Sequence, residues 1–306
     1  MQAYAWMFEM DGILLMAYGT PNGIEDVERY YTEILRGKRP SKAQLEKLRK
    51  RYSAIGGSSP LLGVTASQAE KLQNLLYFDS KSAKVYFGMK YSSPHIKDAI
   101  ESAKSDSITR LFCIPVAPFY SAIGTGSYFE SAKRAAEECG YEGELIFVNS
   151  WHDEPNLAEA WIEKLHELKI DKSWTMLFTA HSLPISGADD LSVYRRQLIY
   201  ASNSVEKRFG CKWSLGFQSA ADVPGKWIGP DAAWQIKGLA KSGIKKIVII
   251  PIGFVSDNLE TMYDAGIEYL GLCDSLGIEA IMPKMPNDSD GIIRALFGAY
   301  KKASSA

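Results

Sequence analysis

Of the four histidines in this chain of 306 residues, His181 is the one placed to do chemistry. It closes the apolar run Leu177-Phe-Thr-Ala-His-Ser-Leu-Pro184, which reads as a buried strand. A strand that stops in this way delivers its ring to the C-terminal edge of a sheet, where open α/β sheets bind ligands. The competing reading is a core histidine satisfied by one hydrogen bond. His95, His152 and His166 stand at a helix start, in a polar loop and on a charged helix, and read as surface residues.

A second cluster follows between Phe254 and Glu268. If the chain is helical from Asn258, then Glu260, Asp264 and Glu268 fall at i, i+4 and i+8 along one face. Such a row is either a solvated acidic stripe or a track of oxygen ligands for a hydrated divalent cation. A neutral imidazole with a carboxylate would hold Fe(II) or Zn(II) without trapping it as thiolates do. The same pair would accept protons near neutral pH. Serine hydrolysis is a weak reading, because Ser182 adjoins His181 on a strand and so faces the other way, and no GxSxG elbow is present. No GxGxxG follows the first strand, and there is no P-loop. Gly124-Thr-Gly-Ser127, ahead of a helix, is either an anion cradle or a plain turn.

The scaffold for these residues is written twice. Leu14-Leu-Met-Ala-Tyr-Gly-Thr-Pro21 repeats the His181 pattern with Tyr18 in the ring position, Phe87-Gly-Met-Lys-Tyr-Ser echoes Leu215-Gly-Phe-Gln-Ser, and Ile114-Pro-Val-Ala-Pro-Phe echoes Ile250-Pro-Ile-Gly-Phe-Val. Hydrophobic periodicity predicts strands near residues 12–17, 84–87, 110–116, 144–148, 173–180, 212–217, 245–252 and 279–282. It predicts helices near 25–35, 42–54, 65–76, 94–103, 127–139, 161–168, 191–209, 231–241, 258–270 and 290–303. Strands separated by helices imply parallel βαβ units. The expected fold is α/β, with two similar Rossmann-like lobes of parallel sheet flanked by helices, residues 1–155 and 156–306, and a cleft between them.

Composition sets the outer limits. With 46% apolar and 23% charged residues and a net charge of −1, the chain reads as an ordinary globular protein, with no field favouring nucleic acid or an anionic membrane. Cys113, Cys139, Cys211 and Cys273 are scattered without CxxC spacing and read as small buried hydrophobes in a reducing cytosol. The N-terminal segment is apolar but short and acidic, unlike a signal peptide, and no run is long enough for a membrane span.

Taken in order, Met16-Ala-Tyr-Gly-Thr-Pro21, Arg51-Tyr-Ser-Ala-Ile-Gly-Gly-Ser-Ser-Pro-Leu61, Gly88-Met-Lys90, Ala180-His-Ser-Leu-Pro184, Gln218-Ser219, Trp227-Ile-Gly-Pro-Asp231, Pro251-Ile-Gly-Phe-Val255 and Glu260 span most of the chain. In these pieces the sequence resembles the ferrochelatases, and most of all the short Gram-positive type that works on coproporphyrin III. The resemblance implies a porphyrin cleft between the lobes. It implies a lyase that inserts Fe(II) into coproporphyrin III to give iron-coproporphyrin for haem synthesis, releasing two protons. Its alternatives are the same chemistry on protoporphyrin IX and a non-catalytic porphyrin carrier derived from a chelatase.

The resemblance further assigns His181 and Glu260 to the metal and the pyrrole protons, with Asp264 and Glu268 as outer acidic positions. Tyr18 falls beside the metal on the opposite porphyrin face, and Arg51, Tyr52, Ser59 and Tyr128 fall at porphyrin contacts. Iron enters as substrate, with no tightly bound cofactor and no iron–sulfur cluster. A cytoplasmic monomer without a transmembrane anchor is expected, in transient contact with other haem-pathway enzymes. Three departures bear on substrate contacts: Leu35-Arg36 in place of two arginines, Tyr91 in place of a histidine, and a shortened loop over Gly187–Tyr194.

Overall fold

The run Gly-Ile-Leu-Leu-Met-Ala forms β1 (Asp11–Ala17), buried on both faces as the central strand of a covered parallel sheet must be. The computed structural model describes residues 10–79, 83–185, 191–220 and 226–305. The expectations for the extreme N-terminus and for residues 187–190 of the shortened loop therefore lie outside the described residues. Strand β1 pairs with β2 (Ala83–Met89) and β3 (Arg110–Pro115), and β4 (Glu144–Phe147) adds beyond β3, all parallel. The second sheet repeats this with β5 (Thr175–His181), β6 (Lys212–Gln218), β7 (Lys246–Ile250) and β8 (Glu279–Ile281). The orders are β2-β1-β3-β4 and β6-β5-β7-β8, the same path taken twice.

The first half carries helices α1 (Val27–Ile34), α2 (Lys42–Ala54), α3 (Leu61–Phe78), α4 (Ile96–Ser105) and α5 (Gly126–Cys139). The second carries α6 (Pro155–His166), α7 (Leu191–Glu206), α8 (Ala232–Lys241), α9 (Leu270–Ser275) and α10 (Asp290–Ser304). Helix α6 starts earlier than the periodicity predicts, because Pro155 at its first turn sacrifices no hydrogen bond. Strand β7 stops at Ile250, since Pro251 has no N–H to continue the ladder. The predicted helix over 258–270 forms, but as a π-helix from Glu260 to Tyr269 that runs on into α9.

The echoed glycines have one physical cause. A Cβ on Gly88 would sit 2.6 Å from the Ile96 backbone, and one on Gly216 2.8 Å from that of Ala232. Each glycine admits the start of the next helix, α4 or α8, onto its strand. The loops close alike, with Met89 N donating to Pro94 O at 2.7 Å and Phe217 N to Pro230 O at 2.8 Å.

One buried cluster runs through both sheets, from Ile13, Leu15 and Ile114 through Trp151 and Trp161 to Phe178, Phe217 and Ile250. Helix α10 belongs to the second half by sequence yet packs on α3 and α6. There Tyr300 donates its hydroxyl to Asp11 at 2.8 Å. Met16 and Met89 are buried and serve packing. Cys113, Cys211 and Cys273 are buried as expected, while Cys139 is partly exposed. No helix among the described residues is long and apolar enough to cross a membrane.

Candidate active site

Alternation along β5 decides where His181 points. Met176, Phe178 and Ala180 face the shared core, whereas Leu177 faces the cluster containing Ala265 and Tyr269 of the π-helix. His181, four residues on from Leu177, therefore falls on the face that the π-helix covers. Its Nδ1 lies 2.5 Å from the Ser182 carbonyl. A carbonyl can only accept, so Nδ1 carries the hydrogen and Nε2 keeps its lone pair for a metal or a proton. Ser182 turns the other way and donates to Ile228 O at 2.7 Å, which makes it structural.

Gln218, the register partner of His181, links the strand that ends in His181 to the main chain of Glu260. It is fully buried, and its Nε2 donates to the Glu260 carbonyl at 3.3 Å. Among the described residues its Oε1 has no hydrogen-bond partner. Glu260 thus opens the π-helix next to His181, half-buried at the sheet edge.

The first lobe faces this edge with aromatic rings. Tyr18, just past β1, is 43% exposed and meets Tyr91 edge-on at 4.8 Å between centroids. Burial against the cleft wall raises the Tyr18 hydroxyl pKa well above that of a free phenol, with Tyr91, Tyr128 and Glu260 adding to it. Burial likewise pushes Tyr52 up to about 12, again with Glu260 adding. Burial raises Tyr128 as well, and Glu260 contributes there too. One carboxylate of the second lobe is thus felt by these three tyrosines of the first, and by Tyr30 as well. Ser59 is buried and donates to Thr20 Oγ1 at 2.9 Å, bracing the loop after Tyr18.

Among the acids, Asp264 is buried, ion-paired with Arg51 and hydrogen-bonded by Ser219. Arg51 also lies over the Tyr263 ring, 5.2 Å from its centroid. Burial would lower the Arg51 pKa, but the charges of Asp264 and Glu260 outweigh it and raise it. Glu268 is exposed, its pKa raised by partial burial and by the Asp264 charge. The three acids do share a face, but the middle one is already neutralised.

The ferrochelatase family model matches residues 10–304. The chain belongs to the ferrochelatase family. It is 38% identical to the coproporphyrin III ferrochelatase of Geobacillus sp. (strain WCH70), covering 93% of this chain and 95% of that one. It is 36% identical to the coproporphyrin III ferrochelatase of Bacillus subtilis (strain 168), with the same two coverages. Among solved structures it resembles SirB from Bacillus subtilis with Fe3+, at a TM-score of 0.59 and 14% identity over 96% of each chain. It also resembles CbiX, the terminal enzyme of siroheme biosynthesis in denitrifying bacteria, at 0.51 and 10% over 95% of this chain and 99% of that one. These structural likenesses show a shared chelatase fold.

Two residues beside the candidate site escape a reading of sequence patterns. Gln218 was visible only as part of a matching dipeptide, and Lys90 only as the end of a Gly-x-Lys turn. The signal that finds both is the repeat: two residues beyond Gly88 and Gly216, they hold equivalent places in the two lobes. The Gly124–Ser127 stretch proves to be a turn. Its amides are spent internally, Gly124 N on Ser121 Oγ at 2.9 Å and Gly126 N on Ser121 O at 2.9 Å. His152 is half-buried rather than on the surface, 3.0 Å from Ser150 Oγ.

Proposed function

We propose that this chain inserts Fe(II) into coproporphyrin III, giving iron-coproporphyrin with release of two protons, and that His181 and Glu260 carry the reaction. The observation that carries the reading is His181 itself: a strand-end imidazole whose Nδ1–H is fixed on the Ser182 carbonyl, which leaves the Nε2 lone pair for a metal or a proton, one strand from the residue that opens the π-helix. The names of the relatives, matched over nearly their whole length, support the substrate.

A planar porphyrin points its nitrogens inward, and two of them bear hydrogens, so an approaching metal meets no free lone pair. Holding the ring bent exposes those lone pairs, at a cost of roughly 1–5 kcal/mol drawn from remote binding contacts. His181 Nε2 takes a pyrrole proton, and Glu260 holds the incoming cation and passes the proton on. Tyr18 packs against the opposite porphyrin face with its neutral phenol. Tyr52, Ser59 and Tyr128 line the porphyrin side of the cleft. Arg51 reaches a propionate by exchanging it for Asp264, and Asp264 and Glu268 pass cations inward from the surface.

Anaerobic incubation with Fe(II) and coproporphyrin III, followed by the porphyrin absorbance, is expected to show many turnovers per enzyme. Porphyrin bound without turnover would overturn the reading in favour of a carrier. Comparison of kcat/KM with protoporphyrin IX is expected to favour coproporphyrin III.

A further inference from the structure

We propose that Asn287 is a positioning residue for the carboxylate of Glu260: it locks the loop at 255–258, from which the π-helix starts, and seats that loop on the first lobe. The inference rests on the metal-insertion reading above and adds the residue that places one of its two reacting groups.

Strand β7 ends at Ile250, and Glu260 opens the π-helix ten residues later. A carboxylate at the end of such a connection is placed only as firmly as the connection is ordered. Residues 255–258 belong to no strand or helix, yet each of the four is tied down by a hydrogen bond.

Asn287 makes three of these ties. Its main-chain N donates to Val255 O at 2.8 Å. Its side chain closes a ring with Asp257, Oδ1 accepting from Asp257 N and Nδ2 donating to Asp257 Oδ2, each at 2.8 Å. Such a ring needs an acceptor and a donor on one short side chain, which is what a carboxamide offers. Asparagine also tolerates the left-handed backbone found here, at a φ of 48°. Asn258 completes the loop, its Oδ1 accepting from Thr261 N and its N donating to Thr261 Oγ1, both at 2.9 Å. Glu260 stands between these two capping partners.

The clamp is not confined to the second lobe. Gln68, fully buried on α3, donates from Nε2 to Asn287 O at 2.7 Å and to Ser256 Oγ at 3.1 Å. Beside it, Ser67 donates to Asp288 Oδ2 at 2.6 Å, and Lys71 pairs with the same carboxylate at 2.7 Å. Helix α3 starts two residues after Ser59, on the tyrosine-lined wall. The height of Glu260 is therefore registered against the wall it faces. Gln218 holds the Glu260 carbonyl from the sheet, and Asn287 fixes the line along which the chain arrives.

The test separates the metal step from porphyrin binding. Asn287→Gly keeps the left-handed backbone and the main-chain bonds while deleting both side-chain bonds to Asp257. With Fe(II) and coproporphyrin III its kcat is expected to fall about 10-fold and its KM for Fe(II) to rise about 3-fold, the cost of a misplaced group. Its affinity for metal-free coproporphyrin III, read by fluorescence quenching, should stay within about 2-fold, because no member of the clamp is placed at the porphyrin. Asp257→Ala should lower kcat about 3-fold, and Asp257→Asn, which still accepts from Asn287, should restore it. Asn287→Gly combined with Asp257→Ala should be no worse than Asn287→Gly alone. Amide exchange at Thr261 and Met262 should quicken in Asn287→Gly, a readout that needs no turnover.

Wild-type kcat in Asn287→Gly, losses that multiply in the double variant, or a loss of porphyrin affinity as large as that in kcat would overturn the proposal. Should Asn287→Gly not fold, unchanged kcat and unchanged amide exchange in Asp257→Ala would overturn it equally. Failure of the wild type to metallate coproporphyrin III would instead count against the proposed function, while the exchange comparison still judges the clamp.

Discussion

The two lobes take the same path with different cargo. Tyr18 and His181 end the central strands, Lys90 and Gln218 end the neighbouring ones, and α5 and the π-helix follow the third strand of each sheet. In the first lobe these places hold a phenol, an ammonium and an ordinary α-helix. In the second they hold an imidazole, a carboxamide and a π-helix whose first residue is Glu260. Lys90 and Gln218 even do parallel mechanical work, each tying its strand end to the helix above, at Ser127 Oγ and at the Glu260 carbonyl. On the proposed reading, one scaffold thus gives a wall that receives a flat anionic ring and a wall that receives a cation and protons. The side chain at the strand end, and the winding of one helix, decide which.

The strongest way to break this division is to remove the ring from the reactive wall. His181→Ala is expected to lower kcat about 10²–10⁴-fold, the usual worth of a placed proton acceptor. Porphyrin affinity should change far less. Steady-state metallation beside fluorescence titration would show it, and near-wild-type turnover would remove the asymmetry between the lobes.

The shared part of the scaffold is tested at its glycines. Gly88→Ala and Gly216→Ala each push a methyl group into the backbone of the following helix. Both should lose about 1–3 kcal/mol of stability in chemical denaturation. A large loss at one position only would show that the repeat is not built on the same close contact.

Gln218→Leu separates positioning from chemistry. Without the bond to the Glu260 carbonyl, kcat should fall about 3- to 10-fold. Stability should change little, because the buried, unpartnered Oε1 leaves with the side chain. Tyr18→Phe should have the smallest effect, about 3-fold or less in KM. The phenol's pKa is raised above its ordinary value, so it stays neutral up to pH 9 and contributes no limb to the rate profile. A pH profile altered by Tyr18→Phe would give the first wall an acid–base role after all.

Much of this was legible in the sequence because it rests on local rules. Apolar runs broken by Pro and Gly marked the strands, and the two copies of the ring-small-Pro ending marked the cleft. Glu260 was found by its spacing to Asp264 and Glu268, but the π-helix was not, since i, i+4 and i+8 lie near one another in either winding. Asp264 could not be separated from a solvated stripe, because its partner Arg51 is 213 residues away in the chain. Lys90 was hidden for a similar reason: its partners Ser127 and Tyr128 come from another element and meet it only in three dimensions.

The buried cluster that runs unbroken through both sheets, with α10 laid across α3 and α6, has a mechanical consequence. Two jaws joined by one close-packed solid cannot swing about a hinge without tearing contacts from both. The gap between Tyr18 and His181 behaves as a fixed gauge. In such a vice the workpiece yields, so on the proposed reading it is the macrocycle that bends when it is seated.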